Sequence, residues 1–247
     1  MMLHISYTDP LVILIVSSFF NYINAQQDYA TVVAYEYGLT AKNIEYQDSL
    51  IALYQKYQAG KLSLDDVSES VRSELETIES FGPNLYTLLP GCSWYCGANY
   101  RVECSSSLSP NRGYSYECTN LSNFSLRDAW IEGDPEYGIG QKILFTFPPE
   151  HPRITGLWIA NGYVKDEKTY YSNSRASKLL MRKNGEVYAT IKILDRHAMQ
   201  KVEFDDIVFM SKTDYTTIEF EILEVYEGRK YKDTAITQLF FDGIDVH

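Results

Sequence analysis

The sequence predicts a mainly β fold, an antiparallel β-sandwich or jelly roll preceded by a small α-helical hairpin. Three observations predict it. From residue 101 onward about eight short segments rich in β-branched and aromatic residues follow one another without intervening helical periods. Asn184-Gly185 separates two of them, and both residue types tolerate the positive φ of a two-residue hairpin turn. Residues 26–82 instead carry apolar residues at helical spacing. A chain of 247 residues has room for such a sandwich and its helical module.

The N-terminal segment, residues 1–25, reads as an export signal. Leu11 to Phe20 has the length of a signal h-region, and Ile23-Asn24-Ala25 offers a cleavage site before Gln26. Residues 26–82 form the expected helical hairpin, with 10 acidic and 4 basic residues. Ile44, Leu50, Leu53, Tyr54 and Tyr57 approach helical spacing, and Gly60 ends that helix. Ser63 with Asp66 resembles a capping box. Val67, Val71, Leu75 and Ile78 then form one apolar stripe, closed by Gly82-Pro83. Residues 83–100 are a joint rich in Cys, Pro and Gly, and 101–247 are the sandwich. Its expected strands are 142–147, 153–160, 178–183, 186–194, 201–204, 207–210, 215–226 and 235–242. Within 217–225, Ile218, Phe220, Ile222 and Glu224 fall on one face.

Charge and motifs exclude several functions. The formal net charge of −11 argues against a general nucleic-acid binder, which needs a basic face for phosphates. The longest apolar run is shorter than a bilayer requires of a helix. No G-x-S-x-G elbow, H-E-x-x-H pair or phosphate-cradling Gly loop occurs, so no enzyme activity is expected. Neighbouring carboxylates such as Asp205-Asp206 point to opposite faces of a strand and form no acid/base pair by themselves.

The four cysteines, Cys92, Cys96, Cys104 and Cys118, read as two disulfides in an exported chain, with three connectivities open. A Cys104–Cys118 bridge would stabilise by about 3 kcal/mol in the chain-entropy model. No cofactor is expected. A structural calcium on loop acids such as Asp128 and Asp134 is a secondary expectation. Asn120 and Asn123 each begin a glycosylation sequon.

The candidate site residues are Trp130, Glu132, Asn161, Tyr163, Lys168, Tyr170, Asn173 and Arg175. Rings would stack on the C–H face of a sugar, while planar amide, carboxylate and guanidinium groups would hold its hydroxyls. The segment from Lys165 to Lys183 holds four Lys and two Arg, which would suit an anionic group.

These residues stand in a pattern that resembles a known family. It runs through Ala129-Trp130-Ile131-Glu132-Gly133, Gly138-Ile139-Gly140, Ile154-Thr155-Gly156-Leu157 and Asn161-Gly162-Tyr163. It continues through Lys168, Tyr170, Asn173, Arg175, Leu223-Glu224-Val225-Tyr226, Gly228, Tyr231, Asp233-Thr234-Ala235-Ile236 and Phe240-Phe241. From Ser105 to Phe241 the chain resembles the discoidin-like, F5/8 type C related domain that accompanies NAD glycohydrolase toxins. Asn123 stands where the family often has Asp. The resemblance implies a galactose-binding-like jelly roll that attaches a protein to carbohydrate or a cell surface. It does not imply NAD cleavage, because the toxins' catalytic domain has no counterpart here. The expected function is that of an exported, secreted, periplasmic or cell-surface, non-catalytic binding protein. The alternative is a structural or assembly protein whose residues 43–80 contact a protein partner or a second copy, with the sandwich as scaffold.

Overall fold

The computed structural model describes residues 28, 29, 31, 32, 41–81, 94, 97–111 and 113–244. The expected signal segment, Cys92 and Cys96 lie outside the described residues. The elements in chain order are β1 (Asp28–Tyr29), β2 (Thr31–Val32), α1 (Ala41–Gln58), α2 (Glu69–Phe81), β3 (Arg101–Cys104), β4 (Trp130–Ile131) and β5 (Lys142–Phe147). Then follow β6 (Ile154–Asn161), α3 (Glu167–Ser172), β7 (Ser174–Lys183), β8 (Glu186–Lys192), β9 (Met199–Ile207), β10 (Thr216–Tyr226) and β11 (Thr234–Gly243).

The strands form a jelly roll of two facing layers. One layer runs β2-β9-β6-β11, and the other runs β8-β7-β10-β5-β3. They meet at one corner, where β11 pairs in parallel with β7 over Thr234↔Ser174 and Ala235↔Arg175. Alternation along each strand sends one set of side chains between the layers. Leu157, Ile159, Val202, Leu239 and Phe241 come from the first layer, and Phe145, Leu179, Met181, Ile218 and Phe220 from the second. Phe145, Phe147 and Phe241 make edge-to-face contacts with centroids 4.9 Å and 5.1 Å apart. The β7–β8 hairpin turns on Asn184 (φ 51°) and Gly185 (φ 84°), both left-handed as their residue types foretell.

Helix α1 is docked on the sandwich. Phe240, Trp158 and Ala160 face outward from the first layer and are covered by Leu126 and by Ile44 of α1. Gln47 of α1 is fully buried. Its amide donates to the Phe124 carbonyl at 3.0 Å and accepts from the Leu126 N–H at 2.9 Å. Asp48 accepts from the Arg127 guanidinium. From the other side Gln238 of β11 donates to the carbonyls of Asn120 and Ser125 and accepts from the Phe124 N–H. Two buried glutamines therefore hold one loop, which satisfies backbone groups that burial would otherwise leave unpaired.

Several boundaries differ from expectation. The first residues of the 26–82 segment belong to the sheet: β1 runs parallel to β8, and β2 pairs with β9 on the other layer. Ser63 caps a short 3-10 turn over Leu64–Asp66, and the second helix starts only at Glu69, leaving Val67 outside it. Trp94, assigned to the joint, is buried in the core and donates from its indole to the Arg153 carbonyl at 3.1 Å. The segments 201–204 and 207–210 are one strand, β9, which ends at Ile207 and leaves Val208 and Met210 exposed. Glu224 does not share the inward face. A bulge between Ile222 and Glu224 shifts the register, turning Glu224 out to Lys178 at 3.1 Å.

His151 locks the joint to the core. Its ring lies among Trp94, Phe147 and Phe209, with centroids 5.7, 4.9 and 4.9 Å away. Nε2 accepts the Asn99 N–H at 3.1 Å, and Nδ1 is 2.8 Å from the Pro152 carbonyl, so the ring is neutral with its proton on Nδ1. Burial holds its pKa below the ordinary histidine value, against the opposing Pro152 bond. With the folded value lowered, its contribution is complete above about pH 6.5. It is lost as pH falls below that and through the folded value. We expect the melting temperature to drop between pH 7 and pH 5, by about 2–4 °C per kcal/mol for a chain of this size. His151→Gln, which keeps one donor and one acceptor, should flatten that drop. Parallel curves for the two proteins would refute the assignment.

Candidate functional site

The corner where β11 crosses from one layer to the other carries a cleft. Its walls are loops, and each is held by buried polar groups. The Cys104–Cys118 disulfide closes the loop that forms one wall. Asn111 and Tyr114 bridge across that loop, their N–H groups donating to each other's carbonyls at 3.1 Å and 3.0 Å. The Trp130 indole donates to the Ser106 carbonyl at 2.9 Å and anchors the same loop from beneath.

Glu132 ties the next loop down. It is fully buried, accepting the Thr234 N–H at 2.9 Å and the Asp134 N–H at 2.6 Å. Burial raises its carboxyl above the ordinary range, the two N–H bonds oppose this, and the charges of Asp233 and Asp134 add to the rise. Gly138 must be glycine here, because its φ is 68° and a Cβ would sit 2.5 Å from the Glu132 carboxyl carbon.

Arg175 holds the opposite wall. It is almost wholly buried and donates from Nε and Nη2 to the two Asp195 oxygens at 2.7 Å and 3.0 Å. Its Nη1 donates to the Asn173 carbonyl at 2.7 Å, and Tyr170 donates its hydroxyl to Asp195 at 3.0 Å. Burial pulls the Asp195 carboxyl up. The Arg175 bonds and charge, with the Tyr170 hydroxyl, outweigh it and hold the carboxyl below its ordinary value. Asn161 spans β6 and β7, donating to the Ala176 carbonyl and accepting its N–H.

The cleft between these walls has a volume of about 350 Å³. Tyr114 and Tyr116 line it from the disulfide loop, Tyr163 from the end of β6, and Tyr231 from the β10–β11 loop. Asn111, Lys165, Thr169, Asn173 and Asp233 supply polar groups. Lys165 lies between two rings, its Nζ 4.2 Å from the Tyr114 centroid and 4.3 Å from that of Tyr163. Tyr163 donates its hydroxyl to the Arg127 carbonyl at 3.0 Å and meets Tyr116 edge-on. Burial raises the hydroxyl pKa of both Tyr116 and Tyr163, so the rings stay neutral donors across the physiological range. Tyr114 and Tyr231 are exposed, at 44% and 43%, each with a lysine over its ring, Lys165 and Lys230 respectively.

The expected site residues divide accordingly. Tyr163 and Asn173 line the cleft, but both are buried and donate their side chains to the Arg127 and Thr169 carbonyls. Lys168 lies in a second depression across α3, with Tyr171 and Arg229. Trp130, Glu132, Asn161, Tyr170 and Arg175 are buried and bonded inside the protein, bracing the loops rather than facing a ligand. Leu108, Asn111, Tyr114, Tyr116 and Thr169 were not singled out as ligand contacts, although the Tyr-x-Tyr alternation inside the disulfide loop was a usable signal. Among the described residues no group of three or more His, Cys, Asp or Glu is placed to hold a metal. Asp134 instead accepts the Glu136 N–H, and Asp128 faces the Asn123 amide. Asn120 cannot present its amide for glycosylation in the fold, since it is buried and donates to the Ser115 and Ala129 carbonyls.

The bracing groups predict stability effects. Arg175→Lys removes the two-pronged geometry and should cost about 1–3 kcal/mol in urea unfolding. A change near zero would refute the bracing role. With the folded Asp195 pKa lowered, its contribution is present above about pH 3.9 and lost as pH falls through the folded value. Asp195→Asn should therefore remove stability at neutral pH and little at the acid end of that window. Glu132→Gln should cost about 1–3 kcal/mol, because one of two N–H donors loses its acceptor.

The model of the NAD glycohydrolase translocation F5/8 type C domain family matches residues 94–242. No curated protein matches the chain. Among solved structures the chain is similar to CpGH89CBM32-5 from Clostridium perfringens, in complex with GalNAc-β-1,3-galactose, at 12% identity over 57% of this chain and 94% of that one (TM-score 0.38). It is also similar to CBM32-3 from a family 31 glycoside hydrolase of Clostridium perfringens, at 10% identity over 62% of this chain and 99% of that one (TM-score 0.42). The CBM32-1, CBM32-2 and M60 catalytic domains of ZmpB from the same organism match at 9% identity over 84% of this chain and 22% of that one (TM-score 0.44). With its match running from Trp94 to Asp242, more than half its length, this chain belongs to the NAD glycohydrolase translocation F5/8 type C domain family.

Proposed function

We propose that this protein is an exported, non-catalytic carbohydrate-binding protein that attaches to a glycan or cell surface through the tyrosine cleft. The observation that carries this reading is the lining itself. Four tyrosines, two of them exposed, surround about 350 Å³ with amide, hydroxyl, ammonium and carboxylate groups among them. That volume lies at the lower end of ligand-sized pockets, about 300–1,000 Å³, and suits one or two sugar rings. A sugar presents a C–H face to an aromatic ring and paired hydroxyls to planar polar groups. Tyr114 and Tyr231 supply the first kind of contact, and Asn111, Asn173 and Asp233 the second. The bracing network supports binding further, because walls fixed before the ligand arrives lose little conformational entropy on association.

Among the described lining residues Asp233 is the single carboxylate. Glycoside cleavage ordinarily uses a pair, so the cleft supports binding rather than hydrolysis. The signal-like segment at residues 11–25 and the disulfide support export.

A broad glycan array tests the reading, with the protein compared with Tyr114→Ala and Tyr231→Ala. Both side chains are exposed, so the variants should keep the wild-type circular dichroism spectrum. Each should lose roughly tenfold in affinity for any glycan bound, about 1.4 kcal/mol. Absence of binding to any glycan, or full binding by both variants, would overturn it.

A further inference from the structure

The cations around α3 are sorted in an unusual way. The segment 165–183 holds four Lys and two Arg in a chain of net charge −11. Arg175 is paired with Asp195, Lys178 with Glu224, and Arg182 with Glu219 and Glu221. Among the described residues, no carboxylate lies within ion-pair distance of Lys165, Lys168, Arg229 or Lys230. Three of these four are set over tyrosine rings instead. Lys165 is over Tyr114 and Tyr163, Arg229 is 4.6 Å from the Tyr171 centroid, and Lys230 is 4.6 Å from that of Tyr231.

Their backbone is fixed as well. Arg229 donates its N–H to the Tyr171 carbonyl at 2.9 Å, and Lys230 and Tyr231 donate theirs to the Ser172 carbonyl at 3.1 Å and 2.8 Å. Gly228 permits that approach, since a Cβ there would sit 2.4 Å from the Tyr231 carbonyl oxygen. Thr169 and Tyr231 line the cleft, while Lys168, Ser172 and Arg229 line a depression of about 380 Å³ on the other side of α3. The two hollows share one short helix and one loop. Carboxylates are also near: Asp233 lines the cleft, Glu167 the depression, and Asp166 caps α3. The depression still carries two cations, Lys168 and Arg229, against Glu167.

We propose that the tyrosine cleft and the depression across α3 form one extended site for an acidic saccharide, whose carboxylate or sulfate is held by Arg229 and Lys168 while a neighbouring sugar lies against Tyr114 and Tyr231. This rests on the carbohydrate-binding reading above and adds the ligand class. An exposed guanidinium stacked on a ring keeps its outward N–H fork for a planar anion, which a carboxylate-paired arginine does not. In a chain of negative net charge such a local positive patch also orients an anionic ligand.

The test is calorimetric titration of the protein with an α-1,4-linked tetragalacturonate and with its carboxyl-reduced, neutral counterpart, in low salt. A sulfated chondroitin tetrasaccharide serves as a second acidic probe. At least one acidic probe should bind about tenfold or more tightly than the neutral one, and its affinity should fall as salt rises. Arg229→Ala and Lys168→Gln should each reduce acidic binding several-fold while leaving neutral binding and the circular dichroism spectrum unchanged. Equal affinity for acidic and neutral chains, or acidic binding indifferent to both substitutions, overturns this proposal and leaves the carbohydrate reading standing. Binding only to phosphatidylserine vesicles or to single-stranded DNA, with no saccharide bound, overturns both.

Discussion

The structure depends on a constraint at β11: this strand has almost no face in water. From Thr234 to Phe241 every residue is buried. Its inner side chains, Leu239 and Phe241, fill the space between the layers, while its outer ones, Gln238 and Phe240, face the loop at 120–127 and helix α1. A strand buried on both sides needs partners for any polar side chain it carries, since an unpaired buried amide costs about 1–3 kcal/mol. Gln238 meets that requirement by bonding the loop backbone, and Gln47 of α1 closes the loop from the other side. The start of helix α1 thus covers part of the sandwich, through Ile44 and Gln47.

The same constraint shapes the cleft. Where β11 crosses to meet β7, the loops around it cannot relax into solvent on their inner side. Glu132 bonds the first N–H of β11, Arg175 and Asp195 clamp the start of β7, and the disulfide holds the third wall. Polar side chains at this corner therefore have two distinct duties. Those directed inward brace the loops. Tyr114 and Tyr231, carried on loops, keep exposed surface.

Charge follows the same division. On the outer face of β7, β10 and β5, cations and carboxylates stand opposite one another and pair, as Arg182 does with Glu219 and Glu221, and Lys142 with Glu219. Cross-strand geometry enforces that pairing. Around α3, Arg229 and Lys230 lie on tyrosine rings instead. Cations are therefore available there on a protein of negative net charge.

The sequence by itself determined the fold class, most of the strands and the turn at Asn184-Gly185, because alternation and turn chemistry are local properties that survive in a list of residues. It also offered Trp130, Glu132, Tyr170 and Arg175 as ligand contacts, and the fold buries all four. What it could not decide was which way those side chains point. A buried arginine that clamps a loop and an exposed arginine that binds a ligand are the same letter, and only the packing around Arg175 and Arg229 separates them. The bulge that turns Glu224 outward, the strands contributed by residues 28–32 and the docking of α1 are equally invisible in one dimension, because each depends on a partner far away in the chain. Tertiary structure alone brought Tyr114 and Tyr116 beside Tyr163 and Tyr231, across more than a hundred residues, and made the cleft.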